Sequence, residues 1–518
     1  MSQDSQKKVH RLGVIGAGTM GSGIALLGLR ANMPVILNDV SQKRLDNGAQ
    51  YIKKHLERKG QDDLFSNLKL TTKLEMLSNC TAVIEAAPEN LDSKKKIFTE
   101  LEKACPPETI LASNTSTLPI TAIAAASQHP NRFGGMHFFN PAPILPLVEV
   151  VKGAGTSEQT LQQMVQLAEQ LGKTPVVAND SPGFIVNRVA RPYYGEALRL
   201  VSERIATHEQ VDQIMEHAGG FRMGPFRLMD LIGIDINFTA MKSMYEQTFG
   251  DKRYQPSLLQ LQKIQENALG KKSGRGFYDY ASEDVKKNIS PNVKTKFSGT
   301  VYISPGTWSP GIGALCRAAG ITVDKSPGSS TAVAIVTAGK DENSRERIED
   351  IEKHISEETL LLCQAADATI HETSVWMKKP ESLVGFDGLF FSTGLAATLA
   401  ASPVANDTAK IKAESFVQSL GKSCFWINDG PALVVPRTVA MLANEAPFAI
   451  GEGLADAETI DKAMQLGVNY PQGPMAWAAE IGFARILAIL DHLQKEYGEE
   501  RYRAAPYLRR IVRQQQLK

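Results

Sequence analysis

Leu12 to Ala31 reads LGVIGAGTMGSGIALLGLRA. Leu12 to Ile15 suit a short buried strand, the run Gly16-Ala17-Gly18-Thr19-Met20-Gly21 follows at once, and the remainder is apolar enough for a buried helix to about Ala31. Each glycine has a separate task in such a strand–turn–helix. Gly16 permits the tight turn, Gly18 lets the backbone approach a pyrophosphate, and Gly21 lets helix and strand pack closely. The helix N-terminus at Thr19 and Met20 offers N–H groups to the phosphates. A second strand from Pro34 to Asn38 ends at Asp39, an acid 23 residues after Gly16. That acid suits the adenine ribose hydroxyls and would repel a 2′-phosphate, so NAD is expected rather than NADP.

Further strands at Ala82 to Ala86 and Ile110 to Ser113 continue the alternation and predict a doubly wound, Rossmann-type sheet. Ligands of such sheets lie beyond the carboxyl ends of the strands. Glu89, Lys94 and the stretch Ser113-Asn114-Thr115-Ser116 would sit there. Farther on, Gly135-Met136-His137-Phe138-Phe139-Asn140-Pro141 precedes Leu147-Val148-Glu149-Val150. A histidine among apolar residues and one acid in an apolar strand can pair, the carboxylate orienting the ring. Such a base is what hydride removal from a carbinol carbon requires, because the hydroxyl proton must go somewhere.

The chain also repeats itself. LGKTPVVANDSPGFIVNRVARPYYGEALRLVSE (Leu171 to Glu203) matches LGKSCFWINDGPALVVPRTVAMLANEAPFAIGE (Leu420 to Glu452), 249 positions later. The register continues through Asp212 and Asp461, Gly224 and Gly473, and Gly233 and Gly482. Aligning Phe138-Phe139 with Phe390-Phe391 places Leu389 opposite His137 and Ala401 opposite Glu149. No GxGxxG precedes the second copy between 296 and 380, and Pro436 replaces Asn187, whereas Arg188 and Glu196 have counterparts in Arg437 and Glu445. Shared residues read as scaffold, differing ones as site.

Bulk properties bound the rest. At 518 residues several domains are expected, and 43% apolar content makes them globular. A net charge of +1 without a long basic run argues against nucleic acid or an anionic membrane as main partner. Five scattered cysteines without CxxC spacing point to neither disulfides nor zinc, and no metal is expected. With no apolar stretch of spanning length and a polar start, MSQDSQKKVH, a cytoplasmic protein is expected.

The segments GAGTMGSG, IEAAPEN, ASNTS, MHFFNPAP, LVEVV, DSPGFIVNR, MGPFRLMDLIG and GKKSGRGFYDY, in this order between Arg11 and Tyr280, resemble the 3-hydroxyacyl-CoA dehydrogenases. AGGFRMGPFRLMDLIG and VNYPQGP…YGEERYR resemble the long bacterial type with a duplicated C-terminal domain, found in phenylacetate degradation. The resemblance implies His137 as general base, Glu149 as its partner, Ser116 on the substrate oxygen, and Asn187 positioning thioester and base. It also implies NAD contacts from Glu89, Lys94, Ser116, Asn140 and Lys272. Coenzyme A contacts would come from Ser116 and from Lys59, within the basic group Lys53, Lys54, Arg58 and Lys59.

The resulting expectation is α/β plus all-α in four parts. These are an NAD-binding domain (8–181), a helical domain (182–283), a degenerate Rossmann-like domain (296–428) and a second helical domain (429–518). Helices are expected over Phe184 to Leu200, Thr207 to Ala218 and Pro225 to Phe238, and loops near Ser304 to Gly313 and Ser326 to Ser330. The two helical domains would pair as an internal pseudo-dimer, and a homo-oligomer stays open. The activity implied is NAD-dependent oxidation of a (3S)-3-hydroxyacyl-CoA, with 3-hydroxyadipyl-CoA or 3-hydroxybutyryl-CoA as substrate, in phenylacetate or fatty acid catabolism (β-oxidation). The alternatives are a hydroxy-acid or sugar-acid dehydrogenase without coenzyme A, and a non-catalytic NAD-binding sensor or structural protein.

Overall fold

The computed structural model describes residues 10–281, 297–306, 308–336, 344–366 and 368–517. The expected domain limits at 8, 283, 296 and 518 lie outside them. Eight strands form the first sheet: β1 (Leu12–Ile15), β2 (Val35–Asn38), β3 (Leu68–Thr71), β4 (Ala82–Glu85), β5 (Ile110–Ser113), β6 (Phe133–Phe138), β7 (Leu147–Lys152) and β8 (Thr174–Asn179). Their order is β3-β2-β1-β4-β5-β6-β7-β8, parallel except for the antiparallel pair β6 and β7. All four residues of β1, β2, β4 and β5 are buried, as expected for strands covered on both faces. The reason is the apolar helix Thr19–Arg30, buried from Gly21 to Leu29, on one face, and a cluster including Phe98, Leu101 and Phe133.

A second sheet has the same plan. It comprises β9 (Thr300–Ile303), β10 (Val323–Asp324), β11 (Thr331–Val336), β12 (Leu360–Gln364), β13 (Leu383–Phe386), β14 (Ala396–Ala401) and β15 (Ser423–Ile427). The order is β10-β9-β11-β12-β13-β14-β15, again with one antiparallel pair, β13 and β14. The region is therefore Rossmann-like. The stretch expected as a loop from Ser304 to Gly313 instead starts the helix Ser309–Ala318, with Pro310 in its first turn, where a missing N–H costs nothing.

The sheet register corrects the alignment of the copies. Met136 faces Val150 and Phe386 faces Leu399, so the next residue of each strand places Asp387 opposite His137 and Thr398 opposite Glu149. The Asp387 N–H donates to the Thr398 carbonyl at 3.2 Å. The copies run 250 positions apart along β6 and β13 but 249 apart along β7 and β14, so one residue is missing from the connection. The Phe-Phe match fell within that connection, and Leu389 and Ala401 are not the counterparts.

The helical spans are broken where backbone chemistry demands it. Phe184 to Leu200 divides into Val186–Val189 and Arg191–Ser202, with Pro192 in the first turn of the latter. Pro225 to Phe238 divides into Pro225–Ile232 and Ile234–Gln247 at Gly233, whose φ of 105° no helix accommodates.

Two compact units emerge, and they do not follow chain order: Met1–Val189 with Ala449–Gly473, and Ala190–Phe448 with Pro474–Lys518. Within unit 1 the helix Ala457–Val468, from the second copy, packs on β7, β8 and the Val186–Val189 helix. Asn179 donates from its backbone to the Leu454 carbonyl (3.0 Å) and from its amide to that of Gly453 (2.7 Å), and Arg188 pairs with Glu452 at 2.7 Å. Within unit 2 the same pattern recurs with the roles exchanged. The helix His208–His217 packs on β14 and β15, Asn428 donates to the carbonyls of Ile205 and Arg204, and Arg437 pairs with Glu203. Arg437 is fully buried and also bonds Glu196, Tyr497 and Tyr502, while Glu445 accepts from Arg253 and Tyr254.

Candidate active site

The glycine turn is built as a dinucleotide cradle. A Cβ on Gly16, at φ 95°, would lie 2.5 Å from the Ala86 carbonyl oxygen, and one on Gly21 would lie 1.7 Å from that of Gly16. Gly16 and Gly21 are therefore required by the fold itself. Gly18 is different: a Cβ there meets nothing within 4 Å, so the protein leaves open the space through which a phosphate would approach. The first turn of the helix, at Thr19 and Met20, carries no acid. Asp39 ends β2 with one oxygen accepting from the Ala17 N–H and the other from the Ser41 N–H, both at 2.9 Å. Each oxygen keeps a lone pair for a ribose hydroxyl. These features fit NAD.

Beyond β4 and β5 a buried charge network fixes the next loop. Lys94, expected among the NAD contacts, is 1% exposed and anchors this loop from within. It donates to Glu85 at 2.6 Å and the Ala87 carbonyl at 3.3 Å, and pairs with Glu89 at 3.4 Å. Glu85, fully buried, also accepts from Ser113 (2.6 Å) and the Ala87 N–H (2.6 Å). Glu89 accepts from the Thr115 and Thr117 hydroxyls and from the Ser116 and Thr117 backbone N–H groups. Burial works against its charge, but Lys94 and these bonds outweigh it and hold its carboxyl below the usual range. Glu85 was not singled out from sequence. The signal was present, since it is the lone acid in the apolar strand AVIE, as Glu149 is in LVEVV.

His137 and Glu149 are brought together. They are direct partners across β6 and β7, so their side chains share one face. His137 Nδ1 bonds Glu149 Oε2 at 2.6 Å, with His137 only 6% exposed and Glu149 fully buried. The other Glu149 oxygen accepts from the N–H groups of Ile185 (2.9 Å) and Val186 (2.8 Å). Those amides point at Glu149 because Gly183 and Phe184 both take positive φ, 76° and 46°, just before the Val186–Val189 helix. For phenylalanine this is a strained conformation, costing on the order of 1–3 kcal/mol. The Phe139 and Phe184 rings flank the imidazole at 4.5 and 5.9 Å.

With Nδ1 held by a carboxylate that only accepts, Nε2 is left as the basic nitrogen. Asn114 fixes the strand end by accepting from the Phe138 N–H at 2.8 Å. Asn187 donates to the Ser116 carbonyl at 3.4 Å, drawing those two expected site residues together. Asn140 is exposed on the loop after β6, and Lys53, Lys54, Arg58 and Lys59 are exposed on or just after the helix Gln42–Glu57. Lys272 belongs to unit 2, where it pairs with Asp235 at 2.6 Å.

Comparison with known proteins agrees with this geometry. The NAD-binding-domain model of the 3-hydroxyacyl-CoA dehydrogenases matches residues 11–181, and the C-terminal-domain model of that family matches 183–280 and again 433–518. A 3-hydroxyadipyl-CoA dehydrogenase of Escherichia coli (strain K12) is 37% identical over 97% of this chain and 97% of its own. A probable 3-hydroxybutyryl-CoA dehydrogenase of Deinococcus radiodurans is 42% identical over 52% of this chain and all of its own. The crystal structure of 3-hydroxybutyryl-CoA dehydrogenase from Escherichia coli K12 has a TM-score of 0.82 at 36% identity, covering 98% of both chains.

Proposed function

The chain belongs to the 3-hydroxyacyl-CoA dehydrogenase family, and from that premise we propose that His137, Glu149, Ser116 and Asn187 form its catalytic group. The protein is an NAD-dependent oxidoreductase acting on 3-hydroxyacyl-CoA. NAD, when bound, supplies the hydride acceptor. His137 Nε2 takes the proton from the 3-hydroxyl of the (3S) substrate, and Glu149 complements the positive charge the ring then carries. Held by two backbone amides, Glu149 needs no reorganisation as that charge develops. Ser116 hydrogen-bonds the substrate's 3-oxygen, and Asn187 orients the thioester. The observation that carries this reading is the buried 2.6 Å bond between His137 and a carboxylate held by two backbone amides.

Thr19, Met20, Asp39, Glu89, Lys94 and Asn140 join the glycines in the NAD site of this reading. Lys53, Lys54, Arg58 and Lys59 give the coenzyme A phosphates a basic, exposed approach. The acyl chain is 3-hydroxyadipyl, favoured by likeness over the full length to the E. coli 3-hydroxyadipyl-CoA dehydrogenase, with 3-hydroxybutyryl second. The exchanged helices replace a second subunit with an internal pseudo-dimer. A cytoplasmic setting fits five free cysteines whose thiols burial holds above the ordinary range; among the described residues no helix is long and apolar enough to cross a membrane.

The test is NADH formation with 3-hydroxyadipyl-CoA and 3-hydroxybutyryl-CoA, each beside its free acid. Turnover of the thioesters alone, faster for adipyl, is expected. Equal turnover of the free acids would overturn the coenzyme A reading, and faster butyryl turnover would overturn the acyl assignment.

A further inference from the structure

Unit 1 is completed by a segment of the copy that lost the catalytic side chains, and one of its buried residues is a glycine. Gly467 lies buried near the end of the helix Ala457–Val468. Its φ is not positive, so its backbone does not demand glycine, and glycine inside a helix costs roughly 1 kcal/mol relative to alanine. What demands it is space. A Cβ there would sit 2.8 Å from Leu147 Cδ2 and 3.0 Å from Val186 Cγ2. Leu147 and Val186 are both essentially buried. Leu147 opens β7, two residues before Glu149, and the Val186 N–H is one of the two amides that hold the Glu149 carboxylate. Gly467 therefore leaves no room for a side chain between its helix and both the strand that carries Glu149 and the helix turn that grips it.

Unit 2 supplies the control within the molecule. The positions matching Gly467 and Leu147 hold Ala218 and Ala396 there, where the helix His208–His217 and its C-terminal residue Ala218 approach β14. In the half with no His–Glu pair, the helix position holds a larger residue and the strand position a smaller one. In the half with the pair, the helix residue is the smallest available and the strand residue is large. The segment cannot simply back away from added bulk. Asn179 binds the Leu454 and Gly453 carbonyls and Arg188 binds Glu452, which pins the segment beside β8 and at the far side of the Val186–Val189 helix.

We propose that Gly467 is a positioning residue of the active site, through which the helix Ala457–Val468 sets Leu147 and Val186, hence Glu149, hence the ring of His137. The second copy is thereby a working part of the first copy's catalytic centre as well as a stabilising partner. The inference rests on the catalytic reading of His137 and Glu149 given above. Its physical basis is the steepness of catalysis with geometry: misplacement by about 1 Å costs on the order of a hundredfold, and a methyl at Gly467 forces a shift of some tenths of that.

The experiment uses the full-length enzyme with three variants, Gly467→Ala, Leu147→Ala and the double variant that reproduces the alanine pair of unit 2. Two readouts are taken: kcat per folded molecule, with folded fraction and NADH affinity measured separately, and the His137 Nδ1 proton resonance in histidine-labelled protein, assigned through His137→Gln. Gly467→Ala is expected to lower kcat roughly tenfold at unchanged folded fraction and NADH affinity and to move the Nδ1 resonance. The double variant is expected to restore both. An unmoved resonance with kcat within about twofold of the parent overturns the proposal, as does a loss that follows the folded fraction and is not restored in the double variant. If the parent enzyme turns over no thioester while the resonance still answers to Gly467→Ala and the double variant, the catalytic reading falls and the positioning contact stands.

Discussion

The strand pair β6 and β7 and its counterpart β13 and β14 have the same direction and the same register, yet one presents His137 and Glu149 and the other Asp387 and Thr398. The surrounding backbone is also duplicated. Gly183 and Phe184 take positive φ, and so do Ala432 and Leu433 at the matching positions, although Ala432 has no glycine to ease it. In the first copy that bend aims two amides at Glu149. In the second, Thr398 is too short to receive them, and its hydroxyl and one Asp387 oxygen have no hydrogen-bond partner among the described residues. The backbone persisted because each copy's sheet is covered by a helix from the other. The side chains differ because, in the reading proposed above, only the first site has chemistry to do.

The largest expected effect separates the halves outright. His137→Gln should lower kcat by about 10²- to 10⁴-fold, the usual worth of a general base, with NADH binding retained. Asp387→Asn, the matching change in the second copy, should leave kcat unchanged. Stopped-flow turnover of the two variants checks this, and a collapse of turnover in Asp387→Asn would show that the second site is not retired.

The same aspartate sharpens the comparison through stability. Burial raises the Asp387 carboxyl to about 7. An acid whose folded-state value lies above its unfolded one favours the folded state below the unfolded value, and that advantage is lost as pH rises through the folded value. Between about pH 4 and pH 7 the folded state binds the proton that the unfolded state has released, so stability should fall across that window. Asp387→Asn removes the titration. Its unfolding free energy should exceed the parent's at pH 8 by a margin on the order of 2–4 kcal/mol larger than the margin at pH 4. Calorimetry at the two pH values decides; equal margins would mean that Asp387 finds a partner in solution.

The smallest effect tests the cradle. Gly18→Ala places a methyl where the protein has open space, so unfolding should be unchanged while NADH affinity drops about tenfold, the equivalent of 1.4 kcal/mol. Isothermal titration beside a melting curve checks both halves of that statement. A loss of stability without a loss of affinity would move Gly18 from the cofactor to the scaffold.

Much of unit 1 was legible because its signals are local. The strand, the three glycines and the closing aspartate each act within a few residues, and β5 appears at its expected bounds, Ile110–Ser113. His137 and Glu149 could be paired because an acid in an apolar strand is costly unless something answers its charge. The same reasoning applied to Glu85 would have found the Lys94 network. The two amides on Glu149 left no such trace, because backbone donors carry no side-chain signature and their direction depends on φ at Gly183 and Phe184. The true counterparts of the catalytic pair were hidden too, since one residue missing from a connection changes which residues face each other while leaving a tempting Phe-Phe match in place.

By itself, then, the sequence determined the duplication, which is legible as repeated text, and the α/β alternation, the glycine cradle and the pairing of His137 with Glu149, which follow from short-range sterics and from the cost of burying charge. Only the tertiary structure decided which copy's helix covers which sheet. Segments more than 240 residues apart meet there, as Asn179 meets Gly453 and Arg437 meets Glu196. Such contacts are chosen by complementary shape and by satisfying buried polar groups. Each is a property of two surfaces at once, and neither segment carries it alone.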